Sequence, residues 1–217
     1  MDFERLYEDD DIIVCVKPAG VPTQTRQFGQ ADMESLLKNY RTFRGEPPEV
    51  WVVHRLDQPV SGVMVFAKGK EAAAELSRQI QKGLACKCYY AKTDGVPPKK
   101  KDTLEDFLLR DGRGNVSSVV TRGTAGAKRA CLSYEVVEHN AAQAVLRVRL
   151  ETGRHHQIRV QLAHAGFAIA GDRKYNFKEN LKLFHENLQL CSYRLGFKHP
   201  KTHRKMEFEI DKPFHLS

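Results

Sequence analysis

Runs of β-branched and apolar residues recur along this chain in adjacent blocks, and helical periodicity interrupts them only at irregular intervals. Doubly wound parallel sheets need a helix after nearly every strand, so this order points to an α+β fold. Residues 11–17 (Asp-Ile-Ile-Val-Cys-Val-Lys) read as a strand stopped by Pro18-Ala19-Gly20. Residues 51–53 and 63–67 read as strands flanking a loop, and 87–93 as another. Residues 130–137 and 142–150 alternate apolar and polar positions, and 188–197 and 205–210 close the chain as a strand pair. Leu36, Leu37 and Tyr40 predict a helix over 35–43; Ala73, Leu76 and Ile80 predict one over 70–81, ending near Gly83. Over 154–165 the spacing of Ile158, Leu162 and Ala165 predicts a helix presenting Arg154, Gln157 and Gln161 on its opposite, polar side. The expectation is one domain over residues 1–217: a mixed, mainly antiparallel central sheet with flanking helices.

Charge narrows the partner. The 217 residues carry 35 Lys and Arg against 27 Asp and Glu, a net charge of +8 with a sequence pI near 9.3. Such an excess favours a polyanion, since each phosphate neutralised releases condensed counterions. Lys99–Lys101, Arg147, Arg149 and residues 199–205 are candidates for a phosphate track. No run approaches the ~18 apolar residues of a membrane span, and Met1-Asp2-Phe3-Glu4-Arg5 lacks the start of a secretory signal. The five cysteines, Cys15, Cys86, Cys88, Cys131 and Cys191, are odd in number and lack Cys-x-x-Cys spacing. They point to reduced thiols in a cytoplasmic protein and away from zinc.

Three clusters stand out. His54-Arg55-Leu56-Asp57-Gln58-Pro59-Val60-Ser61-Gly62 joins two strands. Taken alone it reads as a turn in which Asp57 caps a backbone N–H and pairs with Arg55, with a catalytic site as the alternative. Glu151-Thr152-Gly153-Arg154-His155-His156-Gln157-Ile158-Arg159 offers Thr152 or Gly153 as a helix cap and several groups within reach of an anion; a solvated helix face is the other reading. In Lys87-Cys88-Tyr89-Tyr90-Ala91 adjacent tyrosines take opposite strand faces, one toward the core and one toward a surface or cleft. No phosphate-cradling glycine loop or His-Glu-x-x-His occurs.

In this order, and with Val16-Lys17-Pro18-Ala19-Gly20 before them and Gly171-Asp172-Arg173-Lys174-Tyr175 after, the clusters resemble the RluA-type family of RNA pseudouridine synthases. The resemblance runs from about residue 6 to 213 and rests on His-Arg-Leu-Asp with Ser-Gly, and on Thr-Gly-Arg-x-His-Gln-Ile-Arg. Val60 stands where the family often has Thr, Leu190-Cys191-Ser192 where Leu-His-Ala is commoner, and Asn176 where Gly is usual. The family fold agrees with the α+β reading and implies a central RNA-binding cleft; because the pattern begins so early, no N-terminal S4-type RNA-binding domain is expected.

The resemblance implies isomerisation of a uridine within structured RNA, tRNA or rRNA. Asp57 would act at C1′, either as nucleophile or by removing the 2′ proton. Arg159 would partner that carboxylate and Tyr89 would stack on the uracil. Arg55 would fill the space left by the flipped base. His54, Arg154 and Gln157 are expected at the RNA too, with His54 more a loop support than a proton carrier. No cofactor, metal, membrane or obligate protein partner is implied, and a monomer is expected. The rival readings are a non-catalytic RNA-binding or RNA-folding protein on the same scaffold, and a basic metabolic enzyme acting on a small phosphorylated compound.

Overall fold

The computed structural model describes residues 3–27, 29–176 and 187–216. Among them are eleven strands and three helices, and packing divides the chain into two compact units. The first comprises residues 1–87 and 192–211, the second 88–191 and 212–217. The crossings at 87/88 and 191/192 fall inside strands, so no Pro-, Gly- or Ser-rich linker marks them in the sequence.

The first unit is built on β2 (Ile12–Lys17) and β4 (Ser61–Ala67), which pair antiparallel with Val14 opposite Val65. Ile12, Ile13, Val14 and Cys15 are all fully buried. A strand apolar on consecutive positions is covered on both faces, and each such side chain contributes about 1.5–3 kcal/mol on burial. β1 (Glu4–Glu8) pairs with β2, β3 (Trp51–Val52) with β4, and β11 (Lys205–Glu209) with β10 (Leu190–Lys198). Helix α2 (Lys70–Gln81) occupies the predicted span and lays Ala72, Ala73 and Leu76 onto Ile12, Val14, Val63 and Val65. Helix α1 (Met33–Phe43) starts two residues before its predicted span because Asp32 and Ser35 form a reciprocal capping box there.

In the second unit the strands run in the order β5, β9, β8, β6, β7. β5 (Cys86–Asp94), β8 (Lys128–His139) and β9 (Gln143–Leu150) were legible as strands. β6 (Lys101–Asp111) and β7 (Val116–Val120) were not, since Leu108 is the one apolar residue of β6 that is fully inside. Helix α3 (Gln157–His164) packs Val160 onto Leu108 and Ala130. Here the periodicity misleads. The helix begins three residues later than predicted, after His156 in a left-handed conformation (φ 54°), and neither Thr152 nor Gly153 caps it. Its residues 157–162 are all buried, so the polar side expected for Gln157 and Gln161 does not exist. No helix among the described residues is long and apolar enough to cross a membrane.

Candidate active site

Asp57 sits in the loop between β3 and β4, half-buried, with its backbone fixed on both sides. Before it, Thr23 Oγ1 accepts the Leu56 N–H (3.1 Å) and donates to the Leu56 carbonyl (3.0 Å). After it, the Gln58 carbonyl accepts from the Gly20 N–H (2.9 Å) and from Lys17 Nζ (3.0 Å). The turn closes on itself through Val60 N–H to Asp57 O at 3.0 Å. Gly62 has φ +127°, and a Cβ there would meet the Ser192 backbone oxygen at 2.2 Å, so only glycine fits.

Lys17 is fully buried, its amine donating also to the Pro18 and Val21 carbonyls at 2.9 and 2.6 Å. Burial pushes its pKa down to about 8, against the opposing pull of the Asp57 carboxylate. Beneath the loop, His54 Nε2 accepts the Val65 N–H at 3.1 Å. Burial, with the Lys87 charge adding to it, pushes His54 down to about 4, so the ring is neutral and carries its proton on Nδ1. Nε2 is thereby engaged with β4. Arg55 is exposed.

The second unit gathers a different set. Arg159 on α3 forks onto Asp172, Nε to Oδ2 and Nη2 to Oδ1 both at 2.8 Å, with both side chains buried. Its guanidinium carbon lies 5.2 Å from the Tyr175 ring centroid. Asp172 Oδ1 also accepts the Lys174 and Tyr175 N–H groups, at 2.9 and 3.2 Å, so one carboxylate ties loop to helix. The Tyr175 hydroxyl accepts the Ser117 N–H (2.7 Å) and lies 2.8 Å from His156 Nδ1. Tyr89 on β5 is 7% exposed and Tyr90 more open, the split expected of neighbours on opposite faces.

Gln157, expected at the RNA, is 3% exposed, and both ends of its amide are engaged inside the unit. Oε1 accepts from Thr152 Oγ1 (2.8 Å) and the Arg154 N–H (2.9 Å), and Nε2 donates to the Cys131 carbonyl at 3.0 Å. Arg154 precedes the helix, exposed, with Nε donating to the Arg129 carbonyl at 2.9 Å. Sequence reasoning picked out Asp172, Tyr175 and Lys17 only as parts of motifs and missed Thr23 altogether. A lone threonine before a helix carries no signal that it will grip a loop 33 residues away.

Residues 11–164 match the family model described as RNA pseudouridylate synthase. The chain belongs to that family. It is 33% identical to the dual-specificity RNA pseudouridine synthase RluA of Vibrio vulnificus over 206 residues, covering 92% of this chain and 79% of that protein. It is 34% identical over 177 residues to the uncharacterized RNA pseudouridine synthase YhcT of Bacillus subtilis, covering 80% of this chain and 58% of that one. Against the ribosomal large subunit pseudouridine synthase D of Neisseria meningitidis identity is 32%, over all of this chain and 60% of the relative. The chain thus spans about three fifths of the length of these last two. The solved human RNA pseudouridylate synthase domain containing 1 superposes with a TM-score of 0.81 at 21% identity, covering 99% of this chain and 85% of that one, and shares the fold.

Proposed function

We propose that this chain is an RNA pseudouridine synthase that converts uridine within structured RNA, tRNA or rRNA, to pseudouridine. The observation that carries the reading is the Asp57 loop: a half-buried carboxylate whose neighbours Leu56 and Gln58 are held at the backbone by Thr23 and Lys17, inside the segment that matches the family. A nucleophile or base acting at C1′ needs its direction fixed before the substrate arrives, and a loop gripped at the residues on either side supplies that.

In the proposed reaction the N1–C1′ bond breaks with Asp57 acting at C1′. The uracil turns in place, C5 bonds to C1′, and the proton on C5 is lost while N1 gains one. No net atom enters or leaves, so the chemistry calls on no redox partner. Arg159 supplies a positive charge whose aim is set by Asp172 and Tyr175. Tyr89 stacks on the uracil, and exposed Arg55 and Arg154 meet the RNA. The chain works as a monomer without a protein partner, in the cytoplasm, the compartment being the one its five cysteines, odd in number and without Cys-x-x-Cys spacing, favour.

The test is tritium release from RNA labelled at uridine C5, taken from cells lacking this protein, with wild type and Asp57→Ala side by side. Release by wild type alone is expected. Release by neither, alongside tight RNA binding, would replace the reading with that of a binding protein; full release by the variant would remove Asp57 from the chemistry.

A further inference from the structure

Three basic stretches compete for an RNA track, and in two of them ion pairs among the described residues engage Lys99, Lys101 and Arg147 but not Lys100 or Arg149. Lys99 is paired with Asp102 at 3.0 Å, Lys101 with Glu135 at 2.9 Å, and Arg147 with Glu135 at 2.6 Å. The tip of the β10–β11 hairpin is different. Lys198, Lys201, Arg204 and Lys205 are all exposed, and none has a carboxylate within ion-pair distance among the described residues. The hairpin's own acids do not answer them, since Arg194 takes Glu207 at 2.7 Å and Glu209 at 3.8 Å. Glu75, facing the tip from α2, is held by Arg78 at 2.6 Å and Gln79 at 2.9 Å.

Two features set this patch apart from a mobile charged loop. Lys198 and Lys205 stand directly opposite each other in the strand register. A like-charge cross-strand pair is destabilising. The turn that carries the cations is also tightly held. His199, 4% exposed, accepts the Lys201 and Thr202 N–H groups on Nδ1 at 3.3 and 3.1 Å and donates from Nε2 to Asp9 at 2.9 Å. The buried Gln79 amide takes both the N–H and the carbonyl of Lys198 at 2.9 Å. Asp9, Asp11 and His199 have the spacing of a metal cluster. The hydrogen bonds account for them instead: Asp9 also receives Tyr7 Oη and the Asp11 and Ile12 N–H groups, and the imidazole is occupied at both nitrogens.

We propose that the β10–β11 tip is a second RNA-contact surface, distinct in its residues from the Asp57 loop, where Lys198, Lys201, Arg204 and Lys205 take the phosphodiester backbone of the substrate. It rests on the reading of the chain as acting on RNA and names the surface that gives that RNA its affinity. Because the turn backbone is already held and its cations have no counter-ions to give up, meeting phosphates costs the ordering of their side chains alone and releases the phosphates' counter-ions in full. Contacts of this kind carry position and affinity, not sequence.

The test is binding of unfractionated tRNA across a salt series, in the Asp57→Asn background so that the RNA stays unmodified. Lys201→Gln/Arg204→Gln/Lys205→Gln is compared with Lys99→Gln/Lys100→Gln/Lys101→Gln, which removes the same net charge. The hairpin variant is expected to bind at least about tenfold more weakly at moderate salt, with the slope of log K against log salt shallower by roughly 0.7–0.9 for each phosphate it no longer neutralises. Lys99–Lys101 replacement is expected to change affinity by no more than about twofold, its outer two cations being neutralised already. His199→Gln keeps every cation but frees the turn, so affinity drops with the slope unchanged. Because removing Lys205 relieves a repulsion, melting of the hairpin variant should be no lower than that of its parent. Equal losses in both triple variants, or an unchanged slope in the hairpin variant, would overturn the surface. So would capture of phosphatidylglycerol vesicles through these cations with tRNA binding unaltered. Binding is read without isomerisation, so failure of tritium release would sink the proposed reaction and leave this result standing.

Discussion

The loop around Asp57 and the cluster around Arg159 solve the same problem with opposite means. Each fixes a charged side chain. Around Asp57 the grips fall on the backbone of the neighbouring residues, from Thr23, Lys17 and Gly20, while the carboxylate is left half-open. Around Arg159 the charge itself is buried against a counter-charge and an aromatic face. The first arrangement sets the carboxylate's position through the backbone of its neighbours, which suits the reacting role proposed for Asp57. The second settles the charge before anything enters, which suits a group that must aim. The two should therefore fail differently: a broken grip near Asp57 costs rate before stability, and a broken pair at Arg159 costs stability first.

The largest effect expected is that of Asp172→Asn. It takes the Asp172 carboxylate away from the buried Arg159 guanidinium, and removing one partner of a buried pair costs about 3–5 kcal/mol. Chemical denaturation should show the loss as a lower midpoint, before any assay of RNA. A midpoint within error of wild type would mean that other groups carry the Arg159 charge, and the contrast between the two regions would fall.

Thr23→Val comes next. The volume is kept, but the buried N–H and carbonyl of Leu56 both lose their partner, worth about 1–3 kcal/mol. Turnover is expected to drop well beyond what that instability explains, with RNA affinity nearly unchanged, because Asp57 loses its aim. Equal proportional losses of affinity and turnover would make Thr23 a packing residue only. If Thr23→Val cost more stability than Asp172→Asn, the two regions would have been assigned the wrong way round.

What was legible follows the same division. The Asp57 loop is contiguous, so its residues stand together in the sequence, and Pro59 and Gly62 announce a turn between two apolar strands. The Arg159 cluster is assembled from residues near 117, 156–159 and 172–175, and no periodicity says that these segments meet. Helix α3 was misread for a related reason. Amphipathic spacing presumes a solvent side, and a helix buried over residues 157–162 places glutamines where the pattern asks for exposure; Gln157 is satisfied by neighbours, and Gln161 donates from Nε2 to Asp106 while its Oε1 has no hydrogen-bond partner among the described residues. β6 and β7 escaped notice because an edge hairpin buries too little to impose alternation. The basic tip was visible as composition, but only the ion-pair pattern distinguishes it from the other two stretches.

The smallest effect sharpens the comparison from the acid side. His54 is neutral and its Nε2 accepts the Val65 N–H, so protonation breaks that bond and places a charge beside Lys87. Its pKa is about 4 in the folded chain against 6.5 when unfolded. Between those values the unfolded chain binds more protons, so His54's contribution, fully present above pH 6.5, is lost as pH falls toward 4. The slope is at most about 1.4 kcal/mol per pH unit for one such group. His54→Gln offers Val65 an amide oxygen that does not titrate, and should flatten the fall in melting temperature across this window while lowering the melt slightly at neutral pH. Parallel curves for variant and wild type would show that the Asp57 loop does not depend on a neutral imidazole. The acid sensitivity would then belong to carboxylates elsewhere, and the loop's support would be packing in place of a hydrogen bond.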